Sequence, residues 1–303
     1  MQRAASSSAA TGQTRTTPSD APGIGVVLGY DSNGDGYLDT NAQTTGIKAP
    51  VWLRLTRTGS QLSGYYSTDG STFTRVGSAV NLSGAKATED VGVFHTSHDG
   101  NVPGTATFGS LSITTPPFAG YANIPALLDQ HQSQLSITGT GADVWGAGGQ
   151  HDDQYGAIYQ SQAFTNGTTV TTKVNQLDNT NPWAKAGIMV RNSIGGAGSS
   201  AGYAVMAVTP GNGVVLGYDS DGDGYLDSEA QTTGITAPVW LRLTRTGSQV
   251  SGYYSTDGTT FTRVGSAVNL SGAKATEDVG VFHTSHDNKL SGTAGFSGLS
   301  ITP

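Results

Sequence analysis

The sequence predicts an all-β protein built as a two-sheet antiparallel sandwich. Three observations point there. Glycine supplies 44 of 303 residues and only 12% of residues are charged, a balance that suits many tight turns and disfavours surface helices rich in Glu, Lys and Arg. Apolar residues alternate with polar ones over short runs. Turn signals arrive about every 8–12 residues, the spacing of sandwich strands.

The elements follow in order. In Val51–Arg57, Val51, Leu53 and Leu55 point one way and Trp52, Arg54 and Thr56 the other. Gln61–Ser67 and Ser71–Val76 flank an Asp69–Gly70 turn, a strong hairpin signal. Val91–His95 and Leu111–Thr114 read as two more strands. Later come Leu135–Gly139, Gly156–Phe164, Thr169–Gln176, Ala186–Arg191 and Gly202–Val208. The stretch PALLDQHQ (125–132) is the one place expected to form a helical turn. Trp145 and Phe282 read as core.

A repeat organises these elements. Residues 25–114 align without a gap onto 213–302, and roughly six in seven positions are identical. Such a period is too long for a solenoid and fits domains in tandem. Residues 120–210 have no counterpart in the first copy. The expected organisation is a disordered polar segment at 1–22, a partial module at 23–116, a linker at 117–119 and a complete module at 120–303. The partial module should lack part of its core and expose strand edges. The chain is therefore expected to be a fragment, or a mis-started product, of a larger multidomain protein.

Composition narrows the function. Fifteen basic and 22 acidic residues give a net charge of −7, which disfavours nucleic acid and anionic membrane surfaces. No apolar run approaches 18 residues, so no membrane insertion is expected. The first residues, MQRAASSSAATGQTRTTPSDAPG, lack the apolar stretch of a secretory leader. With no cysteine there is no disulfide, thiolate metal site or cysteine nucleophile.

The most specific motif is acidic. DSNGDGYLD (31–39) returns as DSDGDGYLD (219–227). In EF-hand spacing, Asp31, Asn33 and Asp35 fill positions 1, 3 and 5, Tyr37 offers its carbonyl at 7, and Asp39 fills 9. The second loop places Asp219, Asp221, Asp223, Tyr225 and Asp227 likewise. Position 12 is alanine in both, Ala42 and Ala230, so the bidentate Glu is missing. The apolar run GVVLGY before each loop is a strand, so these are strand-loop-strand sites resembling the calcium loops of integrin propeller blades. Oxygen ligands at this density suit Ca²⁺, because Mg²⁺ prefers to keep its waters. The ion is expected to be structural; the alternative is a solvated Asp/Gly turn.

Other clusters carry less. FHTSHDG (94–100) and FHTSHDN (282–288) hold two histidines three apart, and His151, Asp152 and Asp153 form a third polar cluster. All read as polar connections. STDGSTF (67–73) falls one residue short of a sialidase Asp-box and reads as a hairpin turn. Glutamates number three, Glu89, Glu229 and Glu277, and no hydrolase motif is present. Catalysis is not expected. Trp183, Tyr218, Trp240, Tyr253 and Tyr254 are the candidate sugar-stacking aromatics, each weighed against a packing role.

GTGADVWG, NPWAKAGIMVRNS, YAVMAVTPGNGV, APVWLRLTRTG, YYSTDGTTFTRVG and VGVFHTSHDN resemble an accessory module of the concanavalin A-like lectin/glucanase superfamily, found in large exported bacterial proteins. The resemblance implies a jelly-roll sandwich and an accessory role, and no catalytic residue. It covers 120–303 fully and 23–116 as a back half. The sequence thus leads to a secreted or cell-surface, non-catalytic module that binds calcium and a polysaccharide or glycan. A calcium-stiffened adhesive spacer is the alternative, and a polysaccharide hydrolase comes third.

Overall fold

A computed structural model describes residues 25–58, 61–86, 89–97, 99–113, 118–131, 133–146, 151–196 and 200–303. The polar segment expected at 1–22 and the start of the expected linker lie outside these residues. The chain forms two compact units, Met1–Thr115 and Pro116–Pro303.

In the first unit, β1 (Val26–Tyr30) and β2 (Thr40–Thr44) make a two-stranded sheet. β3 (Trp52–Thr58), β4 (Gln61–Ser67) and β5 (Thr74–Asn81) make a three-stranded one. Val26, Leu28, Leu62 and Val76 form its small buried core.

The second unit holds two seven-stranded antiparallel sheets. β6 (Ala119–Ala122) opens the unit, followed by β7 (Ala126–His131), β8 (Gln134–Gly141) and β9 (Gly156–Phe164). Next are β10 (Thr169–Leu177), β11 (Lys185–Arg191), β12 (Ala204–Thr209), β13 (Gly213–Tyr218) and β14 (Ser228–Thr232). β15 (Val239–Thr246), β16 (Gln249–Ser255), β17 (Thr262–Asn269), β18 (Glu277–Thr284) and β19 (Asp287–Thr302) complete it. The order β17-β16-β15-β10-β19-β8-β7 makes an open sheet, and β14-β13-β12-β11-β18-β9-β6 a covered one. This is the two-sheet sandwich that the alternation predicts.

Between the sheets, Val170, Val174, Leu241 and Leu243 of the open sheet meet Ile188, Met206, Leu216 and Val281 of the covered sheet. β15 alternates buried and part-exposed residues, as a strand with one wet face must. β11, β12 and β18 are buried at every residue. Their far face carries a second apolar cluster that includes Tyr155, Met189, Tyr203, Leu226 and Phe282. Trp145 is partly buried against this cluster.

Four expectations need correction. PALLDQHQ is not a helical turn: Ala126–His131 pairs with β8 and ends the open sheet, with Ala126 buried. Ala119, expected in the linker, opens β6 and pairs with Tyr159. Val91–His95 and Leu111–Ile113 form no strand. Their copies in the second unit lie in β18, between β11 and β9, and β19, between β10 and β8. Those four partner strands come from the stretch that the first copy lacks. Without them Val91 is 51% exposed and Ile113 65%.

Candidate functional site

The loop Asp219–Asp227 joins β13 to β14, whose ladder closes at Tyr218 opposite Ser228. Its carboxylates organise the backbone. Asp219 Oδ1 accepts from the Gly222 amide at 2.6 Å, and its Oδ2 from Gly224 at 2.9 Å. Asp221 accepts from the Asp223 amide, and Asp223 from the Tyr225 amide. Asp227 accepts from both the amide and the hydroxyl of Ser220. Gly224 takes φ 90°, a conformation open to glycine.

Asp219, Asp221 and Asp227 each bring a carboxylate oxygen to within 4.8 Å of the others, a group that could hold a metal ion. Among the described residues it is the one such group. Asp223, assigned as a ligand by spacing, stands outside it. Asp219 is fully buried. Burial raises its pKa, the amides of Gly222 and Gly224 lower it, and the neighbouring Asp223 and Asp221 raise it again.

The loop rests on groups that sequence reading missed. Arg191, 1% exposed, lies beneath it. Its Nη2 donates to the Gly224 carbonyl at 2.9 Å, and its Nη1 to both oxygens of Asp153 at 2.9 Å. Nη1 also reaches Tyr155 Oη, and Nε donates to the Ser200 carbonyl. The guanidinium sits 4.3 Å over the Tyr203 ring. Leu226, inside the loop, is fully buried in the second apolar cluster, and its carbonyl accepts from Gly146. His151 packs against Tyr225 with ring centroids 4.6 Å apart and planes tilted by 58°. A long apolar strand ending in arginine, KAGIMVR, was the available signal: a run buried on both faces needs something to cover it.

The first loop repeats the hydrogen bonds and lacks the support. Asp31 accepts from Gly34 and Gly36, Asp35 from Tyr37, and Asp39 from Ser32. Asn33 stands where the second loop has Asp221. Tyr37 is 78% exposed, and Leu38, the equivalent of Leu226, is exposed too. The Gly36 amide is the leading cause of a lowered Asp31 pKa.

The histidines of FHTSHDN diverge. His283 is buried with Nδ1 3.0 Å from the Lys185 carbonyl and Nε2 3.1 Å from that of Gly292. His286 faces Asp143 at 3.2 Å, and Asp143 accepts from Lys185 at 2.6 Å. They do not share one site. Of the first copy's pair, His95 is exposed and His98 lies outside the described residues.

The five aromatics also separate. Trp240 lies on the outer face of β15, opposite Lys173 and Ser255. Tyr253 lies on the same face, opposite Arg242. Tyr218 and Tyr254 point inward and pack against the inter-sheet core. Trp183 stands in the turn before β11, in the other sheet, with its carbonyl accepting from Lys185. Only Trp240 and Tyr253 are brought together on a wet surface.

No protein-family model matches the chain, and no curated protein matches it. Among solved structures, a functionally unknown protein from Saccharomyces cerevisiae is 18% identical over 61% of this chain and 95% of its own, with TM-score 0.47. The GH43 protein BlXynB from Bacillus licheniformis is 14% identical over 92% of this chain and 65% of its own, with TM-score 0.44. The exoplasmic/lumenal domain of VIP36, in a Ca²⁺/Man3GlcNAc-bound form, is 6% identical over 60% of this chain and 85% of its own, with TM-score 0.36.

Proposed function

We propose that the second unit is a non-catalytic carbohydrate-binding module of an exported, multidomain bacterial protein, with a structural Ca²⁺ in its acidic loop. One observation carries the reading. Trp240 and Tyr253 share the outer face of the open sheet with the hydroxyls of Thr171, Thr244 and Ser251. An indole packs against the C–H face of a sugar ring, and hydroxyls beside it fix the ring's orientation.

The ion is a separate step in the same reading. Asp219, Asp221 and Asp227 offer hard oxygens, and a cation relieves their mutual repulsion. Oxygen ligands in this number favour Ca²⁺ over Mg²⁺, with an affinity on the order of 10⁻⁴–10⁻³ M, which extracellular calcium fills. No Asp or Glu lies on β10, β15, β16 or β17, whereas glycoside hydrolysis uses two carboxyl groups flanking the bound sugar. That favours binding without turnover, in the accessory role of a concanavalin A-like module.

A glycan array with and without EDTA tests the reading. Binding is expected, and Trp240→Ala should abolish it in a folded protein. Hydrolysis of any bound polysaccharide would overturn the non-catalytic assignment. The burial of Asp219 and Leu226 favours a second reading, a calcium-stiffened spacer. That reading expects no glycan bound by the folded, calcium-loaded chain.

A further inference from the structure

The strands that carry Trp240 are basic, in a chain of net charge −7. A carboxylate, Asp257, stands at their edge in the β16–β17 turn whose Gly258 packs on the indole, where it accepts from Ser255 and the amides of Thr259 and Thr260. The four adjacent strands β10, β15, β16 and β17 contain Lys173, Arg242, Arg245 and Arg263, and no acidic residue. Arg245 turns inward to Glu277 at 2.8 Å. The other three cations share the outer face. Lys173 is in register with Trp240, Arg242 with Tyr253, and Tyr253 with Arg263. Strands are about 4.8 Å apart and same-face residues about 7 Å apart along a strand. At the backbone the three positions therefore span about 16 Å, from Lys173 on β10 to Arg263 on β17, with Arg242 between them.

Their partners are neutral. Arg242 stacks 3.5 Å over Phe261 and donates to Thr171 Oγ1 at 3.2 Å. Arg263 donates to Ser251 Oγ at 3.2 Å. Lys173 Nζ lies 6.0 Å over the Trp240 ring. None of the three has a carboxylate within ion-pair distance among the described residues. The register recurs in the first unit, where Arg54 faces Tyr65, Tyr65 faces Arg75, and Arg54 stacks 3.5 Å over Phe73.

We infer that this outer face selects a polyanionic glycan, a polysaccharide bearing uronate carboxylates. The inference rests on the carbohydrate reading above and names its ligand class. Trp240 and Tyr253 stack on the sugar, while Lys173, Arg242 and Arg263 receive the carboxylates. Duplex nucleic acid, with a charge every ~1.7 Å, is repelled by the rest of an acidic chain. A uronate polymer carries fewer charges and presents hydroxyls to Thr171, Thr244 and Ser251.

Affinity electrophoresis of the full chain tests this, with calcium held constant and gels containing polygalacturonate, an uncharged glucan or duplex DNA. Polygalacturonate should retard the protein, less so as salt rises. The double variant Lys173→Gln, Arg263→Gln should weaken that retardation about tenfold without lowering the melting temperature. Trp240→Ala should abolish it. Equal retardation by the glucan, unaffected by the double variant, overturns the inference and leaves the carbohydrate reading standing. Retardation by DNA as strong as by polygalacturonate overturns it as well. No retardation by any glycan removes both.

Discussion

Arg191 and Gly224 are joined by a 2.9 Å hydrogen bond from guanidinium to carbonyl. The bond fastens the acidic loop to the covered sheet at its sharpest turn. Arg191→Lys keeps a charge but loses the planar fork that engages Asp153 and Gly224 together. Calcium affinity should fall about tenfold, as when groups that position metal ligands are changed. Arg191→Ala should cost about 3–5 kcal/mol, because it removes a buried guanidinium from its hydrogen bonds and leaves the part-buried Asp153 without its partner. Thermal melting and calcium titration of the two variants check this. Unchanged affinity in the lysine variant would show that the arginine does not position the loop.

Leu226 and Leu38 occupy the same place in the two loops and differ in burial. Leu226→Ala should destabilise the second unit by about 2–5 kcal/mol, the range for a core cavity. Leu38→Ala, on an exposed side chain, should stay within about 0.5 kcal/mol. Denaturant unfolding of each variant gives the comparison, and equal effects would contradict the burial difference.

Calorimetry with Ca²⁺ should find one site of useful affinity and one much weaker. Asp219→Asn should remove the first, since it takes a charge from the buried carboxylate of the candidate site. Two equal sites, or loss of neither on that substitution, would mean that the support under Asp219 does not matter to binding.

Glu277 supplies a pH signature. Burial lifts its carboxyl to about 7 despite Arg245 at 2.8 Å. The folded state therefore favours the protonated form more than the unfolded chain does. The stability this gives is full below the ordinary value of 4.5 and disappears as pH rises through about 7. His283 acts in the opposite sense: burial lowers its pKa, so its contribution is present above about 6.5 and lost as pH falls. Urea titrations between pH 5 and 8 on the parent and on Glu277→Gln separate them. The variant should lose the decline toward high pH; an unchanged profile would rule Glu277 out as its source.

Much of the fold was legible because alternation exposes itself. Leu241 and Leu243 inward, with Trp240 and Arg242 outward, is the pattern the sequence displays. The acidic loop showed in its spacing, but spacing also assigned Asp223, which stands outside the group formed by Asp219, Asp221 and Asp227. The covered sheet was harder. KAGIMVR and the other strands buried throughout do not alternate, and nothing in them names the outer layer formed by Tyr155, Tyr203 and Leu226. Arg191 was hidden for the same reason, since an arginine ending a strand reads as solvent-facing until its partners are seen. Tyr218 and Tyr254 illustrate a different limit. Their parity points inward, but aromatic content alone made them resemble surface stacking residues. The edge strand Ala126–His131 is short, and its periodicity is too brief to separate strand from helical turn.

The segment EDVGVFHTSH occurs twice in one chain, and that makes the protein its own host–guest experiment. At Glu277 the segment supplies β18, Glu277–Thr284, paired on both sides; at Glu89 the described residues of the same words form no ladder. Composition, solvent and temperature are held constant between the two. What differs is the company of β9 and β11. The preference of Val, Phe and Thr for extended structure is thus a property conferred by neighbours, and grafting those two strands beside the first copy is the change that should convert it.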